Sequence, residues 1–410
     1  YSPRSRWSNK AFSIAINKTA NFNGRSHYKG ENDFSSFSEA FAEEFSRSGL
    51  PIDAVLYASP LSLGTKLAAY SYLIDTVSVN GRVEVVGLPQ RNAILSGVDA
   101  QLSQEKDILT KGGITELAFG YAANMDDKIY IGGSIGVPIV NYERTSTITE
   151  TDMSGDNNNN FQSATYREEY SSKGVGMNAK LGIIFKPVNN LRIGLAVHSP
   201  TLYGLKEKTT GRIEANLEQY LKDPGPSIAN ADSIYTQFGA QIPEYRYDLV
   251  APWKFLVSGS YVINEIADVT KQKGFITADI EYVTHGSSRF SSPDPDEKNY
   301  YQGVNDAVKL AYKGALNFRV GGELKFNTLM TRLGFAYYGK PYDDKALKAH
   351  KMNVSGGLGY RNKGIFIDLT YVHSINKDVD FPYRLADKDN VYANTKNNNG
   401  NVLMTVGFKF

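Results

Sequence analysis

Cysteine is absent from this 410-residue sequence, which excludes disulfides, thiolate metal sites and cysteine nucleophiles. Histidine is scarce: the five residues stand at 27, 198, 285, 350 and 373, with no close pair to suit zinc. Neither sign of charge prevails, with 45 Lys+Arg against 43 Asp+Glu, so there is no electrostatic case for nucleic acid. No run of about 18 apolar residues exists, and a transmembrane helix is not expected. No Gly-x-Ser-x-Gly elbow is present. His198 and Ser199 are adjacent, and neighbours on a strand face opposite sides, so no enzyme is expected. The Asp152/Asp156 and Asp294/Asp296 pairs lack the late glutamate of a calcium loop. No nucleotide-binding or ion-binding motif stands out, so neither a metal nor a cofactor is expected. The chain opens on Tyr1 rather than Met, which implies processing or truncation.

Against these absences stand 27 Tyr, 20 Phe and 37 Gly at a mean hydropathy of −0.36. Weak hydropathy with many aromatics and glycines suits a membrane β-barrel, whose strands alternate lipid-facing and water-facing residues. The alternation is explicit at the C-terminus. Val402, Met404, Val406, Phe408 and Phe410 interleave with Asn401, Thr405, Gly407 and Lys409. The same period of two recurs at 316–326, 275–283, 177–186, 330–338, 352–360 and 364–373, where Arg319, Glu323, Asp279, Glu281, Lys180, Arg332, Asn353 and Asp368 hold the polar phase. Segments 114–125, 129–148, 191–215 and 246–264 also read as strands, and 7–24 is the earliest.

That makes twelve strands, joined by connections of alternating length. Short ones lie at 126–127, 188–190, 327–328 and 361–363. Long polar ones lie at 25–113, 149–173, 216–245, 291–313 and 376–399. Short turns on one side and long loops on the other are the anatomy of an antiparallel transmembrane barrel. A sandwich core would not tolerate those charges facing one another unpaired, whereas a wet lumen would. The expected architecture is one all-β barrel domain over 1–410, with 25–113 a long, partly helical extracellular insertion. Within it Asp33 is placed to cap a helix over 34–47, with Phe34, Phe37, Phe41 and Phe45 on one stripe. A second apolar stretch covers 61–77. The phenylalanine stripe is either packing or an apolar capture surface.

Several stretches resemble the outer-membrane long-chain fatty-acid transporter family (FadL/TodX-like), in the branch found in Bacteroidetes. They are Asp127-Lys128-Ile129-Tyr130-Ile131-Gly132-Gly133, Lys180 to Pro187, Leu191 to Thr201, Ala251-Pro252-Trp253-Lys254-Phe255, Asn317 to Glu323 and Arg332 to Ala336. They run in the family's order over roughly 114–410. The resemblance implies a 14-stranded barrel plugged by an N-terminal hatch that carries Asn-Pro-Ala. That triplet is missing here. The twelve strands match the family's third to fourteenth, so the hatch and two strands are expected ahead of Tyr1 or in a separate chain.

The resemblance also implies passive uptake of a hydrophobic small molecule, a long-chain fatty acid or similar, with sideways exit beside a kinked strand. Segment 7–24, broken by Asn17, Asn21, Asn23 and Gly24, is the candidate for that strand. Lys180, Arg192, Lys254, Arg319 and Arg332 are candidates to hold a carboxylate; alternatively they brace the lumen against Asp279, Glu281, Glu323 and Asp368. Phe408 and Phe410 resemble the terminal signal for barrel assembly. Expected surroundings are outer-membrane lipid and lipopolysaccharide. A subunit role beside protein partners and a general porin are the competing readings.

Overall fold

The computed structural model describes residues 6–51, 54, 61–79, 81–222, 225–237, 239–264, 273–362 and 364–408. In chain order the wall opens with β1 (Trp7–Asn21) and β2 (Gly24–Asn32). A cap follows: α1 (Phe37–Ser48), α2 (Leu63–Tyr70), the hairpin β3 (Ile74–Val79) and β4 (Arg82–Gly87), and α3 (Leu88–Ser96). The wall resumes with β5 (Leu102–Met125), β6 (Ile129–Asp152), β7 (Ser163–Val188), β8 (Leu191–His198) and β9 (Leu202–Asn216). Short β10 (Ser227–Asn230) and α4 (Ala231–Gln237) lead to β11 (Glu244–Val250), β12 (Lys254–Ile263), β13 (Gly274–Thr284) and β14 (Arg289–Ser291). After α5 (Lys298–Ala311) come β15 (Gly314–Phe326), β16 (Leu329–Tyr338), β17 (His350–Asn362), β18 (Ile365–Asp380) and β19 (Ala393–Phe408).

Every wall ladder is antiparallel between successive staves. β1 and β2 form one stave, both paired to β5. β8 with β9, β11 with β12, and β13 with β14 form three more broken staves. Counted this way the wall has, among the described residues, twelve staves, β1/β2 through β19, where the sequence places twelve strands. Tight turns at one rim follow from residues that accept a left-handed backbone. Asp126 and Asp127 have φ of 53° and 55°, Asn327 53° and Gly364 85°, the geometry a two-residue hairpin requires. At the other rim the connections are long and carry the cap, α4 and α5.

β5 and β6 are 24 residues each and β7 is 26. A bilayer needs only about 9–11 residues of tilted strand, so these staves rise well beyond it. Their lower halves present an exposed apolar exterior that includes Phe119, Ile131, Leu181, Leu195, Val257, Ile280, Phe318, Leu333, Leu358, Leu369 and Met404. An apolar outside around a polar inside is the pattern of a transmembrane barrel. Phe408 lies on this exterior and is exposed; Phe410 lies outside the described residues. Among the described residues no ladder closes the ring: the second edges of β1 and β19 carry none, while Tyr28 Oη of β2 donates to Asp380 Oδ2 of β18 at 2.6 Å near the top.

The insertion is shorter than expected, because β2 climbs to Asn32 and β5 starts at Leu102. Helix α1 is capped by Ser36 in a capping box with Glu39, not by Asp33. Asn32 Oδ1 accepts from the amides of Phe34 and Ser35, and this local turn holds 33–35 out of the helix. Phe37 and Phe45 are buried and Phe41 packs against the same cap core. A helix stripe of this kind is packing, and those three offer no capture surface; Phe34 alone stays exposed, beneath Lys388. The cap is pinned to the wall by Glu150 of β6. It is fully buried and accepts from Ser36 Oγ (2.5 Å), the Phe37 amide (2.7 Å) and Gln104 Nε2 (2.6 Å).

Candidate functional site

Register decides which side chains share the lumen, because residues paired across an antiparallel ladder point to the same face. Asn17, Glu116 and Pro138 form one inward row; Ala11, Ala122, Gly132, Gly182 and Ala196 form a lower one. The lower inward positions are small: Ala11, Ser13, Ala118, Gly120, Ala122, Gly132, Ser134, Gly136, Gly182, Gly194, Ala196 and Ser258. Small side chains leave the space that long ones would fill. A hollow of about 710 Å³ results, bounded by Ala11, Ala122, Gly132, Gly182, Ile184, Ala196, Leu256 and Asp279. A second hollow of about 370 Å³ shares Ala122, Gly132, Gly182 and Ala196 and reaches Lys180 and His198.

Above the hollows lies a charged shelf. Glu116, almost wholly buried, accepts from Lys180 Nζ at 2.5 Å and Asn178 Nδ2 at 2.9 Å. Glu281 accepts from Asn317 Nδ2 at 2.7 Å and pairs with Arg319 at 2.8 Å. Arg332 bridges Glu323 and Asp368, each at 2.6 Å. Lys180, Arg319 and Arg332 are therefore engaged by acids of the wall. Arg192 stands on the inward face lower down, opposite Ser260.

Lys254 differs. Among the described residues it makes no ion pair within 4 Å, and it is exposed to the lumen. It sits directly across from His198 on β8, within electrostatic reach of Glu281 and His285. Leu256, one inward step below it, lines the larger hollow. Asp279 likewise makes no ion pair among the described residues and separates this hollow from a polar one of about 300 Å³. That third hollow holds two buried atoms without a partner, Arg319 Nε and Asn353 Oδ1.

The wall is interrupted at the height of the shelf. β1 and β2 part at Phe22 and Asn23, with a register shift between Lys18 and Ala20. Gly112 opposite has φ 107° and donates its amide to Asn23 Oδ1 at 2.9 Å. Pro138 falls where the β6–β7 ladder skips, Pro200 lies between β8 and β9, and Pro252 between β11 and β12. Proline has no amide hydrogen to give a ladder. The expected break in segment 7–24 is thus present, at Phe22–Asn23.

The sequence reading does not single out Glu116, Asn178 or His198 as residues of the site, nor the stripe of small residues. Their signal was Gly, Ala and Ser held in the polar phase of successive strands. A glycine in one strand says little; the stripe emerges only when six staves are laid in register.

No protein-family model and no curated protein matches the chain. Among solved structures it is similar to the toluene transporter TbuX of Ralstonia pickettii (13% identity over 75% of this chain and 78% of that one, TM-score 0.40). It is also similar to a FadL homologue of Pseudomonas aeruginosa (12%, 80% and 75%, TM-score 0.45) and to the toluene transporter TodX of Pseudomonas putida (14%, 76% and 72%, TM-score 0.42).

Proposed function

We propose that this chain forms an outer-membrane barrel of the FadL/TodX type that passes a hydrophobic carboxylate inward by diffusion, without a nucleotide or an ion gradient. One observation carries the reading: Lys254, which makes no ion pair within 4 Å among the described residues, stands one inward step above Leu256 at the rim of an apolar hollow of about 710 Å³. A carboxylate meets this lumen cation at little cost in desolvation, since Lys254 is already wet. The tail gains about 25 cal/mol per Å² of apolar surface removed from water along Leu256, Ile184 and Ala196. The break between β1 and β2 supports sideways exit, because there the stave is tied to β5 by the Phe22 amide on the Gly112 carbonyl and by the Asn23 and Thr110 side chains in place of a continuous ladder. Lys180, Arg319 and Arg332 brace the wall in this scheme, while Lys254 meets the ligand.

The test is mass spectrometry of small molecules extracted by solvent from the purified protein, beside an unrelated barrel in the same detergent. A carboxylate-bearing hydrophobic compound should be enriched in the wild type and fall about tenfold in Lys254→Gln, the loss of one charge-assisted hydrogen bond. Recovery of the same bulk lipid from both barrels would count against the proposal.

A further inference from the structure

On most of the wall above the apolar band, exposed charges come in opposite-sign pairs. Arg25 meets Asp107, Lys173 meets Glu143, Arg167 meets Glu169 and Arg212 meets Glu214. Two rows of bases depart from this pattern: Lys173, Lys206 and Arg246 on β7, β9 and β11, where Glu143 pairs with Lys173, and a larger group. His350, Lys377 and Lys396 stand directly opposite one another on β17, β18 and β19, where like charges destabilise a sheet. Lys345 and Lys348 reach the same place from the loop before β17. These residues line an external cavity of about 570 Å³.

The cluster is not neutralised from within. Lys345, Lys348, Lys377 and Lys396 are exposed, and among the described residues none has an acidic partner within 4 Å. Asp378, on the cavity wall, is held by Tyr342 Oη (3.3 Å) and the Val379 amide (2.9 Å). Asp343 faces Lys313, and Asp344 accepts from the Ala346 amide. Lys340 is spent differently: its Nζ donates to the carbonyls of Asp344, Lys345 and Leu347 and so shapes the loop.

The height and facing of the cluster identify what would neutralise it. Lys377 and Lys396 are in phase with Leu369 and Val402, so they point outward, away from the lumen. Lys377 lies about twelve residues above Ile365. At about 3.3 Å per residue and a tilt near 40° this is roughly 30 Å, just beyond an apolar band of about 25 Å. Tyr337, opposite Met352 and so level with Ile375, lies just beneath, near the height of an aromatic girdle. Lower on the same outer face the stacked pair Tyr371–His373 stands beside Val402 and Val354, its ladder partners, and above Leu369, and these three aliphatic residues form an exposed apolar column.

From this we infer that the cluster of Lys345, Lys348, His350, Lys377 and Lys396 is a docking site for the phosphorylated headgroup of an outer-leaflet lipid, with its acyl chains against the column below. The inference rests on the membrane-barrel reading but is independent of what the lumen carries. A phosphate supplies the acceptors that several ammonium groups lack, and the apolar column distinguishes a lipid from a free anion.

The test is native mass spectrometry of the detergent-solubilised protein with two probes, diphosphoryl lipid A and its dephosphorylated counterpart. The phosphorylated lipid should be retained about tenfold better, the sum of several exposed charge contacts. The quadruple variant Lys345→Gln/Lys348→Gln/Lys377→Gln/Lys396→Gln should lose that preference while keeping a heat-modifiable folded band; Lys377→Gln alone serves if the quadruple variant does not assemble. Equal retention of the two lipids, an undiminished preference in the variant, or full displacement by inorganic phosphate would each overturn the inference. Failure here leaves Lys254 and the lumen untouched, and failure of the extraction experiment leaves this site untouched.

Discussion

Glu150 carries the clearest consequence at the scale of single residues. Burial pushes its carboxyl up to about 7, against the pull of Ser36, the Phe37 amide and Gln104, and Glu39 nearby raises it further. A free glutamate titrates near 4.5. Between those values the docked cap holds a proton that the undocked cap has lost. Docking is therefore strongest below about 4.5 and weakens as pH rises towards 7, by about 3 kcal/mol at 1.36 kcal/mol per unit. Hydrogen-exchange protection of the α1 amides, corrected for intrinsic rate, should fall across this window and then level off. Glu150→Gln should flatten the slope; a wild-type protein with equal protection at pH 5 and pH 8 would contradict the assignment. None of this was legible in the sequence. Glu150 reads there as one more polar residue near a loop, and only the arrival of the α1 N-terminus 114 residues earlier in the chain makes it a lock. The lumen cations were legible as inward-facing. Which of them is already engaged depends on acids on neighbouring staves, such as Glu116 for Lys180, that alternation in one strand cannot reveal.

At the scale of elements, the parted stave depends on Gly112. With φ at 107°, a Cβ there would lie 2.0 Å from the Asn141 carbonyl oxygen. Gly112→Val should therefore disturb both the left-handed backbone and the ladder to β6. The expected cost is at least about 1–3 kcal/mol, read as a lower midpoint in urea and a weaker heat-modifiable band. An unchanged midpoint would mean that β5 does not need this geometry. Strand positions were readable from period-two alternation because one face meets lipid and the other the lumen. The elements that escaped, the β3–β4 hairpin, α3, α4 and α5, lie in polar connections with no such two-sided environment. α5 presents Tyr301 as its one buried residue, too sparse a pattern to stand out. α1 was readable as a helix, but its start was misplaced by three residues because the Asn32 side chain holds 33–35 in a turn and leaves Ser36 to cap it.

At the scale of the whole molecule, the wall combines a greasy exterior, a hollow interior of small side chains and a charged shelf at the height where three prolines interrupt the strands. In the proposed function each serves a route for an apolar solute with a polar end. Among the described residues the second edges of β1 and β19 carry no ladder, and exposed strand edges are costly in lipid. The central claim is that solute passes through the lumen hollow, and blocking it is the most direct measurement. Ala122 borders both hollows and faces inward, whereas Phe119 on the same strand faces out and borders neither. Uptake of a radiolabelled long-chain fatty acid should be measured in cells carrying wild-type, Ala122→Trp or Phe119→Trp protein at matched folded-barrel yield. The account predicts that Ala122→Trp falls to the level of cells without the protein while Phe119→Trp matches wild type; wild-type uptake by a fully assembled Ala122→Trp barrel would contradict it.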